Sequence, residues 1–176
     1  MLKGFFNVPA PVNEPVKSYA AGSSERKELQ AMLSTLRSME VDIPMYIGAK
    51  EIRSNEKVRL APPHDHKHTL GYFHKSTKEH VKQAIDAALA AKNDWENLAW
   101  EQRASIFLKA AELIAGPYRA KLNAATMLGQ SKNAFQAEID SACEIIDFLR
   151  FNVQYMTEIY QQQPPVAGVG IWNRVE

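Results

Sequence analysis

The stretch TMLGQSKNAFQAEIDSACEIIDFLRFN, residues 126–152, decides how the chain is read. Beyond Gly129, the side chains Phe135, Ile139, Ala142, Ile146, Leu149, Val153 and Met156 recur at alternating spacings of four and three. That rhythm keeps them on one face of a 3.6-residue turn, so it predicts a single long helix with one buried stripe. Glu138 falls at the border of the stripe, where a carboxylate can point into a cleft. Cys143 falls within the helical pattern, between Ala142 and Glu144, and is expected to pack as a small group, because no helix amino terminus or nearby His lowers its pKa. Asp147 and Arg150, three apart, are expected to pair weakly.

Downstream, QQQPPVAGVG must end the helix, since Pro164 and Pro165 remove two backbone donors. The IWNRVE segment that follows reads as the opening of a strand. Upstream, a helix from about Glu101 to Ala115 carries Ile106, Phe107, Ala110, Leu113 and Ile114. Gly116 is expected to cap it in a left-handed conformation, and Pro117 to open a third helix reaching about Leu128. Residues 76–79, Ser-Thr-Lys-Glu, have capping-box spacing and introduce a helix to about Asn93 with Val81, Ile85, Ala88 and Leu89 on one face. Trp95 and Trp100 flank the turn between these two helices and are expected to act as packing anchors.

Nearer the start, Leu29, Met32, Leu33 and Leu36 predict an amphipathic helix from Ser24 to about Met39, capped by Ser23 or Ser24. Between Val41 and Phe73, IPMYIGAKEIR reads as a hairpin turning at Gly48 and Ala49, and HTLGYF as a later strand. The first 23 residues are punctuated by Pro and Gly and are expected to form an extended arm lying on another surface. The fold class is therefore α+β, mainly helical, with a small β-hairpin section. It divides into an arm and helix, 1–40, and a helical/β portion, 41–176.

With 45% hydrophobic residues among 176, the composition is that of a globular unit. Twenty-one basic against twenty acidic side chains, with no basic stripe, argue against nucleic acid as a partner. Apolar runs fall short of the ~20 residues that cross a bilayer, so no membrane partner is expected. The first twenty residues lack both a signal-peptide core and an Arg-rich leader, and a cytoplasmic location is the simplest expectation. The lone Cys143 agrees with a reducing compartment.

Several segments together resemble the proline-catabolic aldehyde dehydrogenases, the 1-pyrroline-5-carboxylate (L-glutamate γ-semialdehyde) dehydrogenase family. They are NEPVKSYAAGSSER, AIDAALAAKNDW, EQRASIFLKAAELIAGPYR and, most discriminating, the 126–152 block. The helices before that block occur across the superfamily, while QAEIDSACEIIDFLRFN and the NEP arm point to this branch. The resemblance covers essentially the whole chain but only the front portion of the family's polypeptide. It implies the amino-terminal part of an α/β, Rossmann-like enzyme that oxidises glutamate semialdehyde to glutamate with NAD, usually as a homo-oligomer. In such enzymes a cysteine thiolate attacks the aldehyde, an oxyanion is stabilised, hydride passes to the nicotinamide and water releases the acid. The nucleophile, the base and the glycine-rich cofactor turn are expected beyond Glu176, so the chain alone is expected to be inactive. A methionine ahead of the arm favours a single-function enzyme.

No catalytic, cofactor-binding or metal residue is assigned within the chain. The resemblance implies that Glu138, the glutamate of the QAEID motif, looks toward the aldehyde pocket and serves as a substrate-binding residue. His64, His66 and His68 alternate around Asp65 and would share one face of a strand, but no second ligand pair follows at zinc spacing. Gly168 and Gly170 lack the third glycine and the strand-turn-helix setting of a dinucleotide site. The competing reading is a freestanding helical interaction module, whose apolar stripes would close on one another. A four-helix metal bundle needs Glu-x-x-His sets that these helices lack.

Overall fold

A computed structural model describes residues 6–164 and 168–175. Helix α1, Ser24–Arg37, begins where the Ser23 hydroxyl accepts from the Arg26 amide. Five short strands follow: β1 Val41–Ile43, β2 Met45–Ile47, β3 Lys50–Ile52, β4 Lys57–Leu60 and β5 Gly71–His74. The chain then turns helical, with α2 Lys78–Asn97, α3 Trp100–Ala115, α4 Arg119–Gln130, α5 Ala134–Ala137, a π-helical segment Glu138–Cys143, and α6 Glu144–Gln161. The α+β, mainly helical class read from the sequence is the class observed.

The expected hairpin is present, with β2 and β3 antiparallel around Gly48 at φ 60°. The sequence pattern did not show the second sheet, in which β5 lies between β1, parallel to it, and β4, antiparallel. Strands of three and four residues carry too few alternations to register as a period. Buried His74 ties this sheet together, its Nε2 3.1 Å from Asp42 and its Nδ1 against the Ser54 backbone. Asp42 also takes Lys57 and Arg53, and these donors hold its carboxyl well below the usual range.

Two small cores hold the helices. Tyr19, Leu29 and Ala124 join α1 to α4, with Met32, Leu33 and Leu36 packed around them. Ala111, Ala142 and Ile146 join α3 to the π segment and α6. Trp95 meets Phe107 edge-on at 6.4 Å, and Trp100 packs against Phe6 and Tyr160, so both act as the expected anchors. Helix α2 buries none of its residues, and Val81, Ile85 and Leu89 are each at least half exposed.

Several local expectations are corrected. The cap of α2 is Thr77 with His80 reciprocating, one residue later than the Ser76 and Glu79 pair, and the helix runs on to Asn97. Gly116 sits at φ −101°, so it ends α3 without a left-handed turn; the left-handed cap is Ser131, which closes α4 at φ 58°. Residues 171–175 are not a strand, and the Val175 backbone bonds instead to the Gln163 side chain beyond α6. Helix α6 ends at Gln161, ahead of Pro164, while Pro165 lies outside the described residues. Residues 6–23 are non-helical, as expected of the arm.

Candidate functional site

The long helix is not uniform, and its irregularity builds the site. A π-helical turn closes hydrogen bonds over one more residue than an α turn, and single such turns are frequent at functional positions. Here it brings Glu138, Ala142 and Cys143 inward together, while Phe135, predicted to be in the stripe, is 62% exposed. Glu138 is therefore fully buried and not at a helix edge.

The Glu138 carboxylate is surrounded by donors from two elements. Helix α4 presents Arg119 and Asn123, four residues apart and thus on one face. The Arg119 guanidinium donates to both carboxylate oxygens, and Asn123 Nδ2 donates to Oε2 at 2.8 Å. The arm supplies the Lys17 backbone amide at 2.8 Å and the Tyr19 hydroxyl at 2.7 Å. Burial pushes the Glu138 carboxyl up, but Arg119, the Lys17 amide, Tyr19 and Asn123 outweigh it and hold the pKa at about 2. Burial alone would weaken the Arg119 charge; the Glu138 and Glu14 carboxylates reverse this and keep it protonated. Tyr19 is raised by burial and then by its bond to Glu138. Cys143 is buried beside the same carboxylate, and burial followed by the Glu138 charge pushes its thiol up to about 11. With both oxygens engaged by cationic and neutral donors, Glu138 is a tether for the arm.

A second carboxylate continues the attachment. Glu14 lies between Arg119 and Arg150, accepting from Arg150 Nη1 at 2.7 Å. Asp147 on α6 receives the Asn13 side-chain amide and the Glu14 backbone amide, both at 2.7 Å. The weak pair expected between Asp147 and Arg150 is thus replaced. Each partner bonds instead to the arm, whose Glu14 offers Arg150 a partly buried acceptor.

Beside this attachment, an open groove of about 360 Å³ runs along α6, lined by Asn13, Glu144, Asp147, Phe148, Phe151, Asn152 and Tyr155. The Phe151 and Tyr155 rings stand 6.2 Å apart at its wall. Among the described residues no hydrogen bond or ion pair engages the Glu144 carboxylate, so it is the acid of this region that remains open to a ligand. Sequence reasoning missed it. The signal was a second helical repeat, Glu144, Phe148, Phe151 and Tyr155, which the stronger inward stripe overshadowed.

The three histidines share no strand face. They lie in the turns before β5, where His64 Nδ1 is 2.7 Å from the Ser131 hydroxyl and Asp65 is paired with Arg37. Gly168 and Gly170 sit on the loop beyond α6, without the strand-to-helix turn that would cradle a pyrophosphate.

Residues 51–175 match the model of the aldehyde dehydrogenase family. The chain belongs to that family. It is 50% identical over 172 residues to the delta-1-pyrroline-5-carboxylate dehydrogenase of Agaricus bisporus, covering 97% of this chain and 32% of that protein. The mitochondrial delta-1-pyrroline-5-carboxylate dehydrogenase of Dictyostelium discoideum is 46% identical over 167 residues, 95% of this chain and 30% of that one. The crystal structure of the Mycobacterium tuberculosis delta-pyrroline-5-carboxylate dehydrogenase bound with NAD superposes at TM-score 0.95 with 45% identity, over 98% of this chain and 32% of that one. This aldehyde dehydrogenase family chain spans about a third of the length of the relatives it matches.

These relatives overturn the cytoplasmic expectation, since those from Dictyostelium discoideum, Emericella nidulans and Homo sapiens are named as mitochondrial enzymes. The absence of an Arg-rich stretch in the first twenty residues was too local a criterion to decide a compartment.

Proposed function

We propose that this chain works as the front third of an NAD-dependent dehydrogenase that oxidises L-glutamate γ-semialdehyde to L-glutamate in proline breakdown. The observation that carries the reading is the 50% identity to a delta-1-pyrroline-5-carboxylate dehydrogenase along nearly the whole chain. A mitochondrial setting and assembly into a homo-oligomer accompany it, as does the division into an arm and helix, 1–40, and a portion of the cofactor domain, 41–176. NAD is the cofactor of this reading, but the described residues offer no glycine-rich turn for it. Its binding falls to other parts of the enzyme.

The chain's own residues supply one wall of the substrate pocket. Glu144 stands in the α6 groove among Phe148, Phe151 and Tyr155, an acid beside aromatic faces, which suits the ammonium group of an amino-acid aldehyde. Glu138 serves the same pocket as a positioning residue, fixing the arm against α4 while its own oxygens are occupied. The exposed faces of α2 and α6 support a role inside a larger enzyme over a freestanding module, because Val81, Ile85, Leu89 and Phe148 do not close on one another.

The test is NADH formation from glutamate semialdehyde by the full-length enzyme and by the 176-residue chain. The full-length enzyme turns over. The chain alone does not, because its one cysteine is the buried, high-pKa Cys143. An inactive full-length enzyme, or an active 176-residue chain, overturns the proposal.

A further inference from the structure

The arm is usually the part of a domain that matters least, yet here it reaches the groove. Asn13 lines the same cavity as Glu144. Its amide nitrogen donates to Asp147 Oδ2 at 2.7 Å, and because an ionised carboxylate only accepts, this bond fixes which end of the amide faces Asp147. The other end, the Oδ1 acceptor, takes no hydrogen bond among the described residues.

The next residue locks this orientation. The Glu14 amide occupies the remaining Asp147 oxygen at 2.7 Å, while the Glu14 carboxylate is gripped by Arg119 from α4 and Arg150 from α6. Asn13 is thus bonded to α6 directly and followed by a residue held by both α4 and α6, which fixes this part of the arm.

Resting on the proposed function, we infer that Asn13 is a specificity-determining residue whose side-chain carbonyl, with the Glu144 carboxylate, receives the ammonium group of the substrate. Two acceptors lining one groove, with Phe151 and Tyr155 in its wall, fit a donor-only cation. They offer nothing to an aldehyde that lacks the amine. A site built to hydrogen-bond a substrate group discriminates strongly against the analogue without it.

The experiment compares kcat and KM of the full-length enzyme and its Asn13→Ala and Asn13→Gln variants on glutamate semialdehyde and on propanal, which carries no ammonium. We expect Asn13→Ala to lower the preference for glutamate semialdehyde over propanal about tenfold, mainly through KM, and Asn13→Gln to restore part of it. An equal fall on both aldehydes assigns Asn13 to the fold alone and overturns the inference, as does an unchanged preference. If the unmodified enzyme oxidises propanal but not glutamate semialdehyde, the proposed function itself fails, and that result is recognisable before any variant is made.

Discussion

Arg119 and Glu138 form an ion pair from which solvent is almost wholly excluded, with the guanidinium 3% exposed and the carboxylate 0%. Such a pair contributes little net stability when whole, since burying both charges costs about what their attraction returns. Its consequences appear when one partner is removed. Arg119→Met strands Glu138 and half of the Glu14 attachment, and is expected to cost about 3 to 5 kcal/mol in urea unfolding. Adding Glu138→Gln should recover part of that loss, a coupling that a double-mutant cycle reads directly. Independent, additive losses would show that the two side chains do not depend on each other.

Acid should act on the same pair. The folded Glu138 carboxyl is held at about 2 against an ordinary 4.5. The folded value is the lower one, so the stabilisation is complete above about 4.5 and drains away as pH falls from there toward 2. The unfolding midpoint of the unmodified chain should therefore drop through that window, and Glu138→Gln should drop less. Tyr19 sets the opposite limit, its folded value lying above 10, so stability declines as pH rises past 10.

Cys143 should be chemically silent while the chain is folded. Its thiol is buried and raised to about 11, which leaves little thiolate at neutral pH. Mass spectrometry after iodoacetamide at pH 7 should find the protein unmodified in buffer and singly modified in urea. Rapid labelling in buffer would mean that the arm leaves its seat readily.

Gly71 is a position where the backbone itself leaves no room. It adopts φ 152°, and a Cβ there would sit 2.1 Å from the Val41 carbonyl oxygen. Gly71→Ala should separate β1 from β5, where Val41 and Gly71 are register partners, and destabilise the chain by roughly 3 kcal/mol. Hydrogen exchange should show lost protection at residues 71–74, and unchanged protection there would contradict this account.

How much of this was visible in the sequence differs from element to element. The helices were legible because periods of three and four persist over many turns, and the hairpin because Gly48 marks its turn. The β1, β4 and β5 sheet was not, since its strands are very short and β1 finds its partner only thirty residues on, Val41 opposite Gly71. Glu138 was singled out, but as an edge carboxylate. Its burial depends on Arg119 and on the arm residues 17 and 19, which lie over a hundred positions away, and no local spacing encodes that. Asn13 and Glu144 escaped notice because neither breaks a local rule; their meaning appears only once Asp147 draws the arm onto α6.

The π-helical segment changes what a deletion would mean. By absorbing one residue more than an α-helix requires, residues 138–143 turn everything after them by roughly 100°. Removing a single residue there would leave each downstream amino acid chemically the same yet swing Phe148 and Tyr155 away from the groove and Ile146 out of its core. Along this helix, how many residues there are constrains the protein as tightly as which ones they are.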